Sequence, residues 1–215
     1  MFLKNEEENI AMYFGDGTFY CVPQHHYQLY LLHVDIGSNE NVTNVVSVIF
    51  ALLPNKSEQT YVRLFELIKN KLSVEMPTFK CDFETAVMNA VKTVFLNCKI
   101  SGCFYHYNKA IWRTAKKFNL TLSPDSRKMV RKVSYLPLLP SRFIEDAWNS
   151  IIRETDDTED IRKFKKYFNK QWIPLVRDEI LNCAFERHRT TNPVEGWHRR
   201  INARFQKKCP FLNLF

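Results

Sequence analysis

The chain has 215 residues, of which 45% are hydrophobic and 14% aromatic, so it can bury a core and is not a disordered or low-complexity protein. Its 31 Lys and Arg residues outnumber 23 Asp and Glu residues, and the net charge of +8 favours a polyanionic partner, with nucleic acid ahead of a membrane surface. No stretch approaches the roughly 18 uninterrupted apolar residues of a membrane span. We expect an intracellular globular protein.

The first hundred residues alternate between strand and helix patterns. Three runs rich in Val, Ile, Tyr and Phe are bounded by turn residues and predict consecutive strands at 18–22, 27–35 and 42–53. The Ser57 region is typical of a helix start, and apolar residues recur at helical spacing from there up to Pro77.

A second alternation of strand and helix follows Pro77. Residues 78–81 are predicted as a fourth strand, the apolar stripe from Phe83 to Phe95 as a helix, and residues 99–104 as a fifth strand. From about Tyr107 onward only helical periodicity remains, with aromatic anchors and interrupting prolines. Three strands followed by alternating helix and strand predict a mixed α/β protein with the element order of the ribonuclease H-like fold.

Three acidic residues lie at junctions of these elements. Asp16 opens an extended run, Asp82 follows the fourth strand and begins a helix, and Glu195 lies in a strongly basic helix near the C-terminus. Carboxylates that are distant in sequence and close in space can hold two Mg²⁺ ions for phosphoryl transfer. The pattern therefore indicates DNA-strand chemistry.

Five strings in the chain resemble the Mutator-like element (MULE) transposase domain, a DDE-type member of the ribonuclease H-like transposases. They occur in the family's order between about Gly15 and Arg204. The strings are Asp16-Gly17-Thr18-Phe19, Leu52-Leu53-Pro54-Asn55-Lys56 with Thr60-Tyr61, Cys81-Asp82-Phe83-Glu84, Gly102-Cys103-Phe104-Tyr105-His106 with Trp112, and the segment 189–198 around Asn192-Pro193-Val194-Glu195.

The resemblance implies an α/β fold with a ribonuclease H-like mixed sheet, flanking helices and an all-α insertion before the last acidic residue. We expect a core at 10–120, the helical insertion at 121–188, and a C-terminal basic helix of the catalytic core at 189–215. Asp16, Asp82 and Glu195 match the family's Asp, Asp and Glu, which implies a site for two Mg²⁺ or Mn²⁺ ions. The implied activity is DNA strand cleavage and strand transfer, at transposon ends and target DNA, in the nucleus.

Two further groups of residues are interpreted with this assignment. Cys103 and His106 form a Cys-x-x-His pair; since the second pair of a four-ligand zinc site is not evident, we favour a hydrogen-bonded structural pair beside the active site. The remaining candidates are basic or aromatic residues expected to contact DNA, with Trp197 as the residue most suited to stacking on an unpaired base. They are Arg189, Trp197, His198, Arg199, Arg200 and Arg204.

Each acidic residue also has a structural interpretation. Asp16-Gly17 is a typical hairpin-turn dipeptide, and Asp82 could be the N-cap of its helix. Glu195 could belong to a capping box with Asn192 as N-cap, or form an ordinary pair with Arg199 one turn later. These alternatives stay open from the sequence alone.

Other functional classes also stay open. The chain could be a domesticated or truncated transposase-derived domain that binds DNA or protein without catalysis, or another ribonuclease H-like nuclease. All three acids are present, which favours catalysis, but few residues precede Asp16, and the apolar end at 209–215 suggests a longer packed segment. Target recognition is therefore expected to be incomplete. A homo-oligomer is expected only from the resemblance, since no coiled-coil heptad is evident.

Overall fold

A computed structural model describes residues 11–20, 22–39 and 41–204. Cys21, Cys209 and the expected apolar end at 209–215 lie outside the described residues, as do Lys207 and Lys208. Five strands form one sheet in the order β3-β2-β1-β4-β5, with β1 antiparallel to β2 and parallel to β4. The strands are β1 (Met12–Thr18), β2 (Gln28–Asp35), β3 (Val45–Leu53), β4 (Thr78–Cys81) and β5 (Lys99–Gly102).

Eight α-helices accompany these strands in the described part of the chain. They are α1 (Glu58–Leu72), α2 (Thr85–Val94), α3 (Phe104–Lys117), α4 (Pro124–Ser134), α5 (Ser141–Arg153), α6 (Glu159–Gln171), α7 (Ile173–Arg177) and α8 (Asn192–Arg204). A meander of three strands, followed by two strands that each come after a helix, is the ribonuclease H-like arrangement. The predicted mixed α/β fold is confirmed.

The first strand lies earlier in the chain than its predicted position at 18–22. Residues 12–14 pair with β4, and residues 13–18 pair with β2, so Asp16 is inside a strand and not in a hairpin turn. Gly15 and Gly17, which look like turn residues in the sequence, are required by close packing. A Cβ atom on Gly15 would meet the Tyr30 hydroxyl and the Phe79 ring, and one on Gly17 would meet the Gln28 side chain.

Helix α1 begins where the sequence indicates. The Ser57 side chain accepts a hydrogen bond from the Thr60 backbone N–H, as an N-cap does. The helix ends at Leu72, before the predicted limit at Pro77, because Ser73 adopts the left-handed conformation that terminates helices. Buried Tyr61 and Phe65 of α1 pack against Tyr30 of β2, with ring centroids 5.4 and 6.3 Å apart.

The described residues divide into two compact units. One comprises residues up to Ile100 together with those from Thr191 onward, and the other is Ser101–Thr190. The predicted boundaries at 120/121 and 188/189 remain predictions. Of the cysteines that the structure describes, Cys81, Cys103 and Cys183 are buried and Cys98 is partly exposed. No described helix has the length and apolar character needed to cross a membrane.

The second unit is helical, as the aromatic periodicity predicts. Trp148 of α5 stacks on Phe168 of α6 with ring centroids 4.0 Å apart, and both side chains are buried. The Tyr107 hydroxyl donates to the backbone carbonyl of Val133 at 2.7 Å, which joins α3 to α4. Phe143 of α5, in contrast, is exposed.

Replacing Gly15 by Ala tests the close approach at the centre of the sheet. The added methyl group would overlap Tyr30 and Phe79, and overpacking of this kind costs roughly 1–3 kcal/mol of unfolding free energy. Urea unfolding measures this loss. Gly196→Ala is the matched control, because nothing lies within 4 Å of its added Cβ and Ala favours a helix. Equal stability of Gly15→Ala and the wild type would contradict the packing described for β1.

His33 predicts acid sensitivity of the folded unit. Burial, together with the nearby His198, lowers the pKa of His33 from 6.5 to about 4. Between about pH 6.5 and 4, His33 is protonated in the unfolded chain and neutral in the folded chain. The free energy of unfolding therefore falls as the pH drops through this range. His33→Gln should make this loss shallower in urea titrations at stepped pH. The exposed His26→Gln is the control. An unchanged pH slope in His33→Gln would contradict the assignment.

Candidate active site

Asp16 lies in β1, and Asp82 directly follows the adjacent parallel strand β4. In the ladder between β1 and β4, Phe14 pairs with Lys80. The ladder ends at this pair, and Asp16 and Asp82 each follow it by two positions; if the chain stayed extended up to Asp82, strand alternation would place both side chains on one face of the sheet. Adjacent strands are about 4.8 Å apart, so we expect the two residues to lie close together at this edge of the sheet. Residues that the sequence separates widely are brought together by this pairing.

The Asp16 carboxylate is partly buried and has defined surroundings. Its Oδ1 atom accepts a hydrogen bond from the Gly17 backbone N–H at 2.8 Å. Its Oδ2 atom lies 3.5 Å from Nδ1 of His198 in α8. Because Asp16 lies in a strand and meets a helix from a distant part of the sequence, its role as a simple hairpin-turn residue is wrong.

Asp82 lies in the short connection between β4 and α2. Its Oδ1 atom accepts a hydrogen bond from the Glu84 backbone N–H at 3.1 Å. Helix α2 has Glu84 as its N-cap residue, so the alternative in which Asp82 is that N-cap is wrong. The Asp82 side chain instead closes a local turn that orders the connection.

Glu84 anchors that connection to the rest of the first unit. One carboxylate oxygen of Glu84 lies 2.9 Å from the Lys56 ammonium, and the other accepts a hydrogen bond from the Tyr61 hydroxyl at 3.0 Å. The Gln28 side-chain amide donates to the same hydroxyl at 2.6 Å. Strand β2, helix α1 and the segment after β3 thus converge on Glu84, next to Asp82.

Burial governs the ionisation of two tyrosines in this region. The pKa of Tyr30 is raised well above 10, first by burial and then by nearby Cys81, Tyr61, Asp82 and Asp16. The pKa of Tyr61 is raised in the same way, mainly by burial. Both phenols therefore stay protonated at neutral pH.

Glu195 lies in the first turn of α8, and this helix packs against β1. Glu195 and His198 are three residues apart, a spacing that places both on one helix face, and His198 faces Asp16. The Thr191 carbonyl accepts hydrogen bonds from the backbone N–H groups of Val194 and Glu195. The helix thus begins at Asn192, one position before the start that the capping-box alternative assumes.

His198 is buried and electrically neutral at physiological pH. Burial lowers its pKa from 6.5 to about 4. Its Nε2 atom is buried and has no hydrogen-bond partner within the described part of the chain, while Nδ1 faces Asp16. A DNA-contacting role for His198 remains a prediction, and its position gives it a direct contact with a candidate catalytic carboxylate.

Trp197 packs on the sheet. Its ring lies 4.9 Å from that of Phe50 in β3 and 6.0 Å from that of His33 in β2, measured between centroids. A stacking role on DNA remains a prediction for this half-buried residue. The predicted DNA-contacting arginines of α8, Arg199, Arg200 and Arg204, are exposed. Arg189 is also exposed and belongs to the second unit.

Cys103 and His106 are placed at the start of α3, in the second unit. Cys103 is buried and is the N-cap residue of that helix, while His106 is half-buried in its first turn. Their predicted role as structural support remains a prediction.

The fit of the site to Mg²⁺ or Mn²⁺ rests on the aspartate pair. Carboxylate oxygens are the ligands that these hard cations prefer, and two carboxylates on adjacent strands can bind from the same side. Within residues 11–20, 22–39 and 41–204, no group of three or more His, Cys, Asp or Glu side chains is arranged to hold a metal ion. Asp16 and Asp82 therefore supply the chemistry that such ions need, and Glu195 lies on the helix that packs beside them.

Sequence reasoning missed the residues that position the aspartates. Lys56 and Tyr61 lie in one of the strings that carry the family resemblance, which was the available signal. Lys80 is more surprising, because it is fully buried in β4, two positions before Asp82. A charged residue in a short predicted strand gave no indication of such burial.

Comparison with known proteins supports the family resemblance. Residues 12–110 match the family model of the MULE transposase domain. A search of curated proteins found no match. The matched segment contains β1 to β5 and the first half of α3, and therefore includes Asp16, Asp82, Cys103 and His106. Residues 12–110 of this chain are thus similar to the MULE transposase domain, a domain of transposases.

Proposed function

We propose that this chain is the catalytic domain of a MULE-type DNA transposase, which cleaves and joins DNA strands with divalent metal ions. The observation that carries the proposal is the placement of Asp16 in β1 and of Asp82 directly after the adjacent parallel strand β4, within the segment that matches the family. Glu195, on the helix that packs against β1, is the third acidic residue of the proposed site.

The chain's own residues would position the reacting DNA. Asp16, Asp82 and Glu195 would hold two Mg²⁺ or Mn²⁺ ions, which supply Lewis acidity to the attacking and leaving oxygens when bound. His198 limits the orientation of Asp16 through its Oδ2 atom. Glu84 fixes the turn of Asp82 through its backbone N–H and is itself held by Lys56 and Tyr61.

The exposed arginines of α8 support binding to the DNA backbone. Arg199, Arg200 and Arg204 add positive charge to the helix that carries Glu195. Contacts of this kind neutralise phosphates, are weakly sequence-specific and weaken as salt concentration rises. A nuclear location and assembly into a homo-oligomer remain part of the proposal and rest on the family resemblance.

A second candidate is a transposase-derived domain that binds DNA or protein without catalysis. The contact between His198 and Asp16 favours it, because Asp16 already has an intramolecular partner on each of its carboxylate oxygens. The two candidates differ in one property. Only the first requires Asp82 for a chemical step on DNA.

Nicking of supercoiled plasmid DNA with Mg²⁺ or Mn²⁺ separates the two candidates. Asp82→Asn keeps the size of the side chain and removes the charge that holds a cation, so nicking should fall at least about 100-fold. Asp16→Ala and Glu195→Gln should show similar losses. Gel separation of supercoiled and open-circular plasmid provides the measurement.

Asp146→Asn is the matched control, because it makes the same change at an exposed residue of α5. It should nick as the wild type does. If the wild-type protein is folded and binds DNA without nicking it, the non-catalytic candidate is favoured. Nicking that persists in Asp82→Asn would reject the proposed site.

Glu84→Gln tests the anchor of Asp82. The substitution weakens the contact with Lys56 but preserves the backbone N–H that meets Asp82. Changes to groups that position a metal ligand typically lower metal affinity or activity 10- to 100-fold, so half-maximal nicking should require more Mn²⁺ by roughly that factor.

Glu154→Gln provides the control for that variant, since Glu154 pairs with Lys132 on the surface of the second unit. It should leave the Mn²⁺ dependence unchanged. If Glu84→Gln lowers thermal stability while its Mn²⁺ dependence matches the wild type, Glu84 is only a structural residue.

A further inference from the structure

An exposed aromatic cluster follows β1 beyond Asp16. Phe19 and Tyr27 are 51% and 54% exposed, and their rings meet edge-on with centroids 5.5 Å apart. The Lys56 ammonium lies over the Phe19 ring, 4.6 Å from its centroid. We call these three residues the aromatic platform. Two aromatic rings beside a cation thus remain about half accessible to solvent.

The platform is connected to both candidate catalytic aspartates. Phe19 follows Asp16 by three residues, which corresponds to about 10 Å along an extended chain. Lys56 contacts Glu84, whose backbone N–H donates to Asp82. Since a stacked DNA strand rises about 3.4 Å per nucleotide, the platform is within about three nucleotides of a phosphate held at the aspartates.

The position of Tyr27 is fixed by the sheet. Its backbone N–H donates to the Leu53 carbonyl at 2.8 Å, immediately before the β2–β3 ladder begins. The ring is therefore presented by a rigid element while its surface stays open. Trp197 differs, because its ring packs on Phe50 and His33. Of these two aromatic sites, the platform offers the more accessible surface to a base.

We propose that Phe19, Tyr27 and Lys56 bind an unpaired DNA base within a few nucleotides of the scissile phosphate. This inference rests on the proposed function, since it takes DNA as the substrate. The aromatic rings would stack on the base, which every nucleobase permits through its π face. The Lys56 ammonium would attract the adjoining phosphate. The ligand class is single-stranded or locally unpaired DNA.

Fluorescence anisotropy with a labelled 12-nucleotide single strand tests the platform. The full chain is titrated with Ca²⁺ in place of Mg²⁺, against the normal strand and against a strand of the same length with three central abasic positions. The wild-type protein should bind the normal strand more tightly. Phe19→Leu and Tyr27→Leu should each weaken that binding between about fivefold and 150-fold, and should reduce the difference between the two strands.

Tyr135→Leu is the matched control, because Tyr135 is an aromatic residue with 61% exposure at the end of α4. It should bind both strands as the wild type does. Phe19→Trp should retain the preference for bases, and this second variant separates loss of stacking from loss of folding. Thermal melting of every variant accompanies the titrations.

The possible outcomes distinguish the two proposals. If the wild type binds both strands equally, or if the two Leu variants keep its preference, the platform is rejected and the proposed function stands. If the wild-type protein binds neither strand and does not nick plasmid DNA, the proposed function fails and the platform fails with it. The platform is supported only if the wild type prefers the normal strand over the abasic strand and both Leu variants lose that preference.

Discussion

Parallel pairing between β1 and β4 is the constraint on which the candidate site depends. Asp16 and Asp82 each follow the last pair of this ladder, Phe14–Lys80, by two positions. Parallel strands need a crossover connection, which β2, β3 and α1 supply here. A slip of one residue in this register would move one carboxylate to the other face of the sheet. The register between β1 and β4 therefore determines the relative positions of the two candidate metal ligands.

The packing beneath that pair explains the two glycines of β1. Tyr30 and Phe79 occupy the space where a side chain at position 15 would lie, and Tyr30 packs in turn on Tyr61. Tyr61 also donates to Glu84, which orders the connection containing Asp82. The Tyr61 side chain thus links the packing of the core to the position of the candidate metal ligand Asp82. Burial keeps that phenol protonated and able to donate.

The sequence was sufficient for the element order, because apolar periodicity and turn residues report burial on one face of each element. The sequence was insufficient for the position of β1, since Gly15 and Gly17 resemble turn residues. In the structure, the Tyr30 and Gln28 side chains occupy the space next to these glycines, and both are distant in sequence. The three acids could be selected from junctions and family strings. The sequence could not predict the contact of His198 with Asp16 or the contact of Glu84 with Lys56, because both depend on distances in the folded structure.

The most direct test of the central claim is cleavage of the polypeptide by hydroxyl radicals generated from bound Fe²⁺, with ascorbate and peroxide. Iron held by the aspartate pair should cut the backbone near Asp16 and Asp82, and near Glu195 if that residue joins the site. Excess Mg²⁺ should suppress these cuts by competition. Cuts confined to other parts of the chain, or cuts insensitive to Mg²⁺, would contradict a shared divalent-metal site at Asp16 and Asp82.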